Sequence, residues 1–195
     1  MFKTKFLKSL FIAGVASLAL GATAMAQSTI LTIDQARVMR DSEVGKHILR
    51  QMESIAKSMD SELQASSSPI TSERDRLVNE LKSLDADAVK SRPDIQKRVQ
   101  DLAVKGQKQQ VEAKYKQAEL QITKQKAVKK VNDQLAQILE KIVAERKADI
   151  ILDRSLVIYG GKTSDVTDTA ISRLNSQMRT VSVVRERLPR KAAPK

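Results

Sequence analysis

The sequence predicts an α+β chain that is mostly α: a long antiparallel helical hairpin, a coiled-coil arm, projecting from a small β body. Three observations carry this. Between Asp34 and Ala148 the only glycines and prolines are Gly45, Pro69, Pro93 and Gly106, and the stretch is rich in Ala, Gln, Glu, Lys, Leu and Arg, the composition of long helices. Its apolar residues step by three and four, which makes one narrow seam per helix, enough for a partner helix but not for a wide core. Short β-branched runs flank it at Ile30 to Ile33 and at 149–159.

The first 26 residues have the pattern of a secretory signal. Lys3, Lys5 and Lys8 precede an apolar run from Leu10 to Leu20, and Ala24-Met25-Ala26 places small residues before an expected cleavage after Ala26. The run falls short of the roughly 20 residues that span a bilayer. Of 35 basic side chains these three lysines leave with the signal, so 32 remain against 23 acidic ones. All three phenylalanines leave as well, and Tyr115 and Tyr159 become the only aromatics. Since one aromatic buries about 150–250 Å², the core must be aliphatic. The absence of cysteine excludes disulfides, thiolate catalysis and cysteine-held metals, and the single histidine, His47, excludes multi-histidine zinc or copper. No cofactor is expected.

Four segments follow: the signal at 1–26, a β-rich body from 29–42 and 148–178, the hairpin arm at 43–147, and a basic tail at 179–195. The outbound helix is expected from about Glu43 to Ala88, about 65–70 Å at 1.5 Å per residue. Val44, Ile48, Met52, Ile55 and Met59, then Leu77, Leu81, Leu84 and Ala88, form its stripe. Ser66-Ser67-Ser68-Pro69 is expected to interrupt it. The reversal lies at Asp85 to Asp94, with Ser91 as the cap and Pro93 in the first turn of the return helix. On that helix Val111, Tyr115, Ala118 and Ile122, then Val128, Val131, Leu135, Ile138 and Ile142, keep the three-four step, with a gap around Gly106.

Two further strands are expected at 149–153 and 155–159, closed by a Gly160-Gly161 turn. A last helix runs from near Ser164 to about Met178, with Val166, Ala170, Ile171 and Leu174 on one face and Asp165 and Asp168 favouring its N-terminus. The tail, with six basic residues, one acidic residue and two prolines, is expected to be disordered. Three short strands and one small helix make a poor independent core, so self-association is a requirement of this fold.

Candidate functional residues lie on the return helix. Between Lys105 and Lys130 stand eight lysines and two acids. Lys105, Lys108, Lys114, Lys116, Lys124 and Lys126 would attract acidic unfolded chains over about a Debye length, roughly 8 Å at physiological salt. The plain alternative is the solvated face of a coiled coil. Met52 and Met59, with adaptable thioethers, serve either the seam or contact with a bound polypeptide. Gly160-Gly161-Lys162-Thr163 imitates the end of a phosphate-binding loop, but Leu156 stands where the first glycine is needed, so it is a turn. No nucleophile, base and orienting group occur together, which predicts a non-enzyme.

The segments Ile30-Leu31-Thr32-Ile33-Asp34, the basic hairpin, Ala148-Asp149-Ile150-Ile151-Leu152-Asp153, Val157-Ile158-Tyr159 and Ser164-Asp165-Val166-Thr167-Asp168 together resemble the Skp/OmpH family of periplasmic chaperones. The resemblance covers nearly all of residues 29–178. It implies a homotrimer with a β-barrel body completed by three chains and three hairpins around a cavity that holds unfolded outer-membrane proteins without ATP. By resemblance Ile30, Leu31, Ile33, Ile150, Leu152 and Val157 belong to the trimer body. The stretch from Ser66 to Ile70 and the tail after Met178 depart from the family's compact form. The competing classes are a binder of polyanions (an anionic membrane surface, lipopolysaccharide or nucleic acid), suggested by a pI near 10, and a structural coiled coil. The lack of stacking aromatics disfavours nucleic acid, and the flanking strands disfavour the structural coiled coil.

Overall fold

The computed structural model describes residues 28–190, so the expected signal peptide lies outside the described residues. The order is β1 (Ile30–Ile33), α1 (Gln35–Asp41), α2 (Glu43–Lys82), α3 (Ala86–Lys90), α4 (Pro93–Arg146), β2 (Ile150–Asp153), two 3-10 turns (Arg154–Leu156 and Lys162–Ser164) and α5 (Thr167–Gln177). β1 and β2 pair in parallel with Ile30 opposite Ile150 and Ile33 opposite Asp153. The whole hairpin is the connection between these two neighbouring strands. The chain is mostly helical, with α2 and α4 packed together beside a small two-stranded sheet.

The hairpin starts at a tight corner. Ser42 ends α1, its N–H donating to the Val38 carbonyl at 3.1 Å, and its Oγ accepts the Gly45 N–H at 3.1 Å to cap α2. Gly45 is required there, because a Cβ would lie 1.8 Å from the Met39 carbonyl oxygen. α2 then continues for 40 residues, about 60 Å, and α4 for 54, about 80 Å.

Pro69 does not interrupt α2 as the sequence predicts. Extra donors gather in the turn before it: Ser66 Oγ and Gln109 Nε2 reach the Leu63 carbonyl at 2.9 and 3.0 Å, and Ser67 Oγ reaches that of Gln64 at 3.1 Å. Gln109 comes from α4, so the two helices brace each other at the proline. Gly106 likewise stays within α4.

At the tip the outbound helix stops at Lys82 instead of Ala88. The Asp85 carboxylate accepts the Ala88 N–H at 2.7 Å and starts a separate helix, α3. Ser91 closes α3, donating to the Asp87 carbonyl at 2.9 Å, and does not cap α4. That helix begins at Pro93 after Arg92 with no side-chain cap, where proline's missing N–H costs nothing. Arg98 bridges Glu73 and Glu80 at 2.8 and 2.6 Å beside the buried Leu77 and Ile95.

The expected strand at 155–159 is absent. Asp153 Oδ1 accepts the Ser155 N–H at 2.8 Å and turns the chain into a 3-10 helix. Leu156, Ile158 and Tyr159 are left 75, 105 and 90 % exposed. α5 begins three residues later than Ser164, with Val166, Ala170 and Leu174 buried. Arg37 of α1 pairs with Asp168 in its first turn.

The body is better filled than its strands alone allow. One core joins Leu31 and Ile33 of β1, Val38 of α1, Val44 and Ile48 of α2, Ala127 to Ile142 of α4, and Val166, Ala170 and Leu174 around α5. The bases of both arm helices supply much of its aliphatic volume, through Val44, Ile48, Val131, Leu135, Ile138 and Ile142. Among the described residues no helix is long and apolar enough to cross a membrane.

Candidate functional site

The expected seam on the middle of α4 is rotated. Val111 is exposed, and the buried positions are Lys116, Glu119, Thr123 and Ala127, continuing into Val131, Leu135, Ile138 and Ile142. Of the three polar residues, Glu119 and Thr123 lie under the C-terminal segment and bond to it, whereas Lys116 is paired with Glu62 of α2. Residues 179–190, expected to be a disordered tail, run in extended form from the body toward the tip, antiparallel to α4. The structure describes this segment up to Arg190.

Each contact of this strap has a specific partner. His47 Nε2 lies 3.1 Å from the Val181 carbonyl oxygen, and Lys130 donates to that of Ser182 at 3.2 Å. Val181 and Val183 pack against the core. The Glu186 N–H donates to Thr123 Oγ1 at 2.9 Å, and the Glu186 carboxylate pairs with Lys126 at 2.8 Å. Glu119, with no solvent exposure, accepts from Arg190 at 2.6 Å, from the Leu188 N–H at 3.0 Å and from Arg185 at 3.3 Å. Arg185 also reaches Glu62 of α2 at 2.7 Å, and Arg190 grips Glu112 at 2.8 Å while lying 4.4 Å over the Tyr115 ring.

The electrostatics follow from this pairing. Hydrogen bonds from Arg185 and then Lys116 hold the Glu62 carboxyl down at about 2. For Glu119 burial pushes the carboxyl up, but Arg190, the Leu188 N–H and Arg185 outweigh it and keep it below the usual carboxylate range. The group is therefore ionised inside the hairpin, as a buried charge with several strong donors can be.

The candidate lysines separate into groups. Lys116 is only 6 % exposed and paired with Glu62, so it holds the hairpin together instead of facing solvent. Lys126 is exposed but tied to Glu186 of the strap. Lys105 and Lys108 line an open cavity of about 480 Å³ beside Pro69 and Ile70. Lys124 shares an open groove of about 360 Å³ with Leu49, Met52 and Leu120. Lys114 is exposed. Met52 is half-buried against the core and Met59 is buried, so only Met52 lies beside a free lysine.

The candidate body residues divide as well. Leu31 and Ile33 are used up in the intrachain core. Ile30 and Ile150, paired across the sheet, are 47 and 46 % exposed. Leu152 and Val157 are half-buried, and Val157 lies after the 3-10 turn, off any strand. Sequence reasoning missed Glu62, Glu112 and Glu119 as a cluster with Arg185 and Arg190. The available signal was that Glu112 and Glu119 are the only acids in a lysine-rich stretch.

Comparison with known proteins agrees with this architecture. The family model described as outer membrane protein (OmpH-like) matches residues 29–174. A crystal structure from Caulobacter crescentus CB15, described as an OmpH-like outer membrane chaperone, superposes with a TM-score of 0.69 at 23% identity, over 84% of this chain and 93% of that one. A comparison with curated proteins gives no match. The strap lies beyond the family model, whereas the sheet, the hairpin and most of α5 lie within it, and on that match the chain belongs to the OmpH-like (Skp) family of outer-membrane-protein chaperones, a non-enzymatic family.

Proposed function

We propose that the protein is an ATP-independent periplasmic holdase, exported by a cleaved signal, that assembles as a homotrimer and keeps unfolded outer-membrane proteins from aggregating between its arms. The observation that carries this reading is the unfinished state of the single-chain body. Among the described residues β2 pairs only with β1, and Ile30, Ile150, Leu156, Ile158 and Tyr159 are apolar and exposed beside it. An open sheet edge next to an apolar patch is costly in water and is relieved by pairing with other chains. Three copies joined at this edge would project three hairpins in one direction.

Client contact falls to the exposed lysines, Lys105, Lys108, Lys114 and Lys124, alternating with open apolar grooves. Such a surface offers many weak attachments and no single tight one, which suits a client that must later be released. Polyanion binding is the weaker reading, because Arg185 and Arg190 are already committed to carboxylates.

A nucleotide-free aggregation assay with a urea-unfolded outer-membrane protein tests the proposal. Suppression is expected near one trimer per client, and none at several-fold excess removes the holdase. Reversing Lys105, Lys108, Lys114 and Lys124 to Glu is expected to weaken client affinity several-fold at low salt with assembly unchanged.

A further inference from the structure

The strap occupies a groove built for an extended peptide. From Val181 to Arg185 the strap alternates, with Val181, Val183 and Arg185 turned inward and Ser182 and Val184 facing solvent, the two-residue period of an extended chain. The phase shifts by one at Glu186, after which Glu186 and Leu188 are the half-buried positions. The groove meets it with apolar surface near the body, with Thr123 and Glu119 as acceptors for two backbone N–H groups, and with Glu62, Glu112 and Glu119 for two arginines five residues apart. These are the components of peptide recognition: main-chain bonds, alternate side-chain sites and charge complementarity.

The fit is nevertheless incomplete. The strap pairs with no strand, so the N–H groups of Glu186 and Leu188 bond only to side chains. The Nε of Arg185 is buried without a partner among the described residues. Ordering an extended segment costs conformational entropy at every residue, and the compensation comes from two packed valines, two N–H bonds and a set of ion pairs. A contact of this kind opens locally without unfolding the core.

We propose that residues 179–190 are a displaceable strap in a peptide groove of α2 and α4, and that the exchanging occupant is an extended client segment with alternating apolar side chains and arginine. Strands of outer-membrane barrels carry that two-residue alternation, so the strap imitates the client and competes with it for the arm. This rests on the holdase reading given above.

The chain has no cysteine, so the double variant Thr123→Cys, Glu186→Cys forms one disulfide across a contact whose backbone N–H lies 2.9 Å from the threonine oxygen. Oxidation locks the strap, and reduction releases it in the same molecule. A second full-length variant, Arg185→Ala with Arg190→Ala, unlatches it. A labelled synthetic peptide of residues 179–190 probes the groove without any client: it is expected to bind the unlatched chain at least ten-fold more tightly than the oxidised one. Equal binding overturns the groove. A urea-unfolded outer-membrane protein then probes exchange, with at least five-fold weaker binding expected for the oxidised than for the reduced chain. Equal client affinities overturn the competition while the holdase stands. If the unmodified chain suppresses no aggregation, the holdase reading falls and takes the exchanging client with it, whereas the peptide result still scores the groove.

Discussion

Arg190 places Nη1 2.6 Å from Oε1 of Glu119, a carboxylate wholly shielded from solvent in the middle of a lysine-rich helix. Shielding an unpaired carboxylate would cost several kcal/mol, so the burial depends on donors arriving with the strap. Arg190, Arg185 and the Leu188 N–H supply them together. The strap and the polar seam beneath it therefore form one unit: neither is stable in this arrangement alone.

Replacing Glu119 by Gln keeps the shape but removes the charge that both arginines share. The strap can swing into solvent, so the loss is confined to its own attachment and the core of Val131 to Ile142 is untouched. Hydrogen exchange should show the bonded amides of Glu186 and Leu188 losing at least ten-fold protection, with the melting temperature lowered by only a few degrees. Unchanged protection would mean that the valines, and not the ion pairs, hold the strap.

Acid should release the same segment. The Glu62 carboxyl is held at about 2 against an ordinary value of 4.5, and that of Glu119 is also depressed. A lowered bound-state value stabilises the strap fully above the ordinary value, and the contribution disappears as pH falls through the depressed one. Amide chemical shifts of Glu186 and Leu188 are therefore expected to stay constant from pH 7 to about 5 and to move toward free-peptide positions as pH drops toward 2. Shifts that stay constant down to pH 2 would mean that the carboxylates do not hold the strap.

The corner between α1 and α2 gives a purely steric test. A methyl group at Gly45 would meet the Met39 carbonyl at 1.8 Å, and both partners are backbone, so helices must move apart to admit it. Overpacking of this kind costs about 1–3 kcal/mol, more than alanine's helix preference over glycine returns, about 1 kcal/mol. Gly45→Ala should thus lower stability in urea titration, although it replaces glycine with a better helix former.

Much of this was legible where local rules and packing agree. Val131, Leu135, Ile138 and Ile142 step by three and four and are buried as that spacing predicts, and Ile30 to Ile33 form β1. Earlier in α4, toward the tip, the same rule selects Val111, Tyr115, Ala118 and Ile122, one residue out of step with Lys116, Glu119 and Thr123, which are buried. Periodicity cannot detect a covering segment that bonds across 66 to 71 positions, as Arg185, Leu188 and Arg190 do with Glu119. Charge composition erred for a related reason: six basic residues in a tail favour disorder only if no buried carboxylate awaits them. At the tip and after β2, single caps from Asp85 and Asp153 decided the local geometry against Ser91 and against a third strand. Self-association is expected from the small sheet and its trimeric form from the resemblance alone, and the lysines divide between ion pairs and solvent by distances that no spacing rule contains.

Ile158 separates folding of one chain from assembly of several. It is 105 % exposed and Tyr159 beside it 90 % exposed, so neither side chain contributes apolar burial to the single chain. Replacing Ile158 by Glu should leave circular dichroism and the melting of an isolated chain essentially unchanged. In a trimer that buries this patch, each copy would forfeit about 1.5–3 kcal/mol of apolar transfer and would also have to desolvate a carboxylate facing two others. If the parent is the proposed trimer, the variant is therefore expected to sediment as a monomer at the same micromolar concentration and to lose the proposed aggregation suppression in parallel. A variant that remains trimeric would place the contact elsewhere along the β2 edge, and a parent that is itself monomeric would remove the proposed assembly and with it the proposed cavity between the arms.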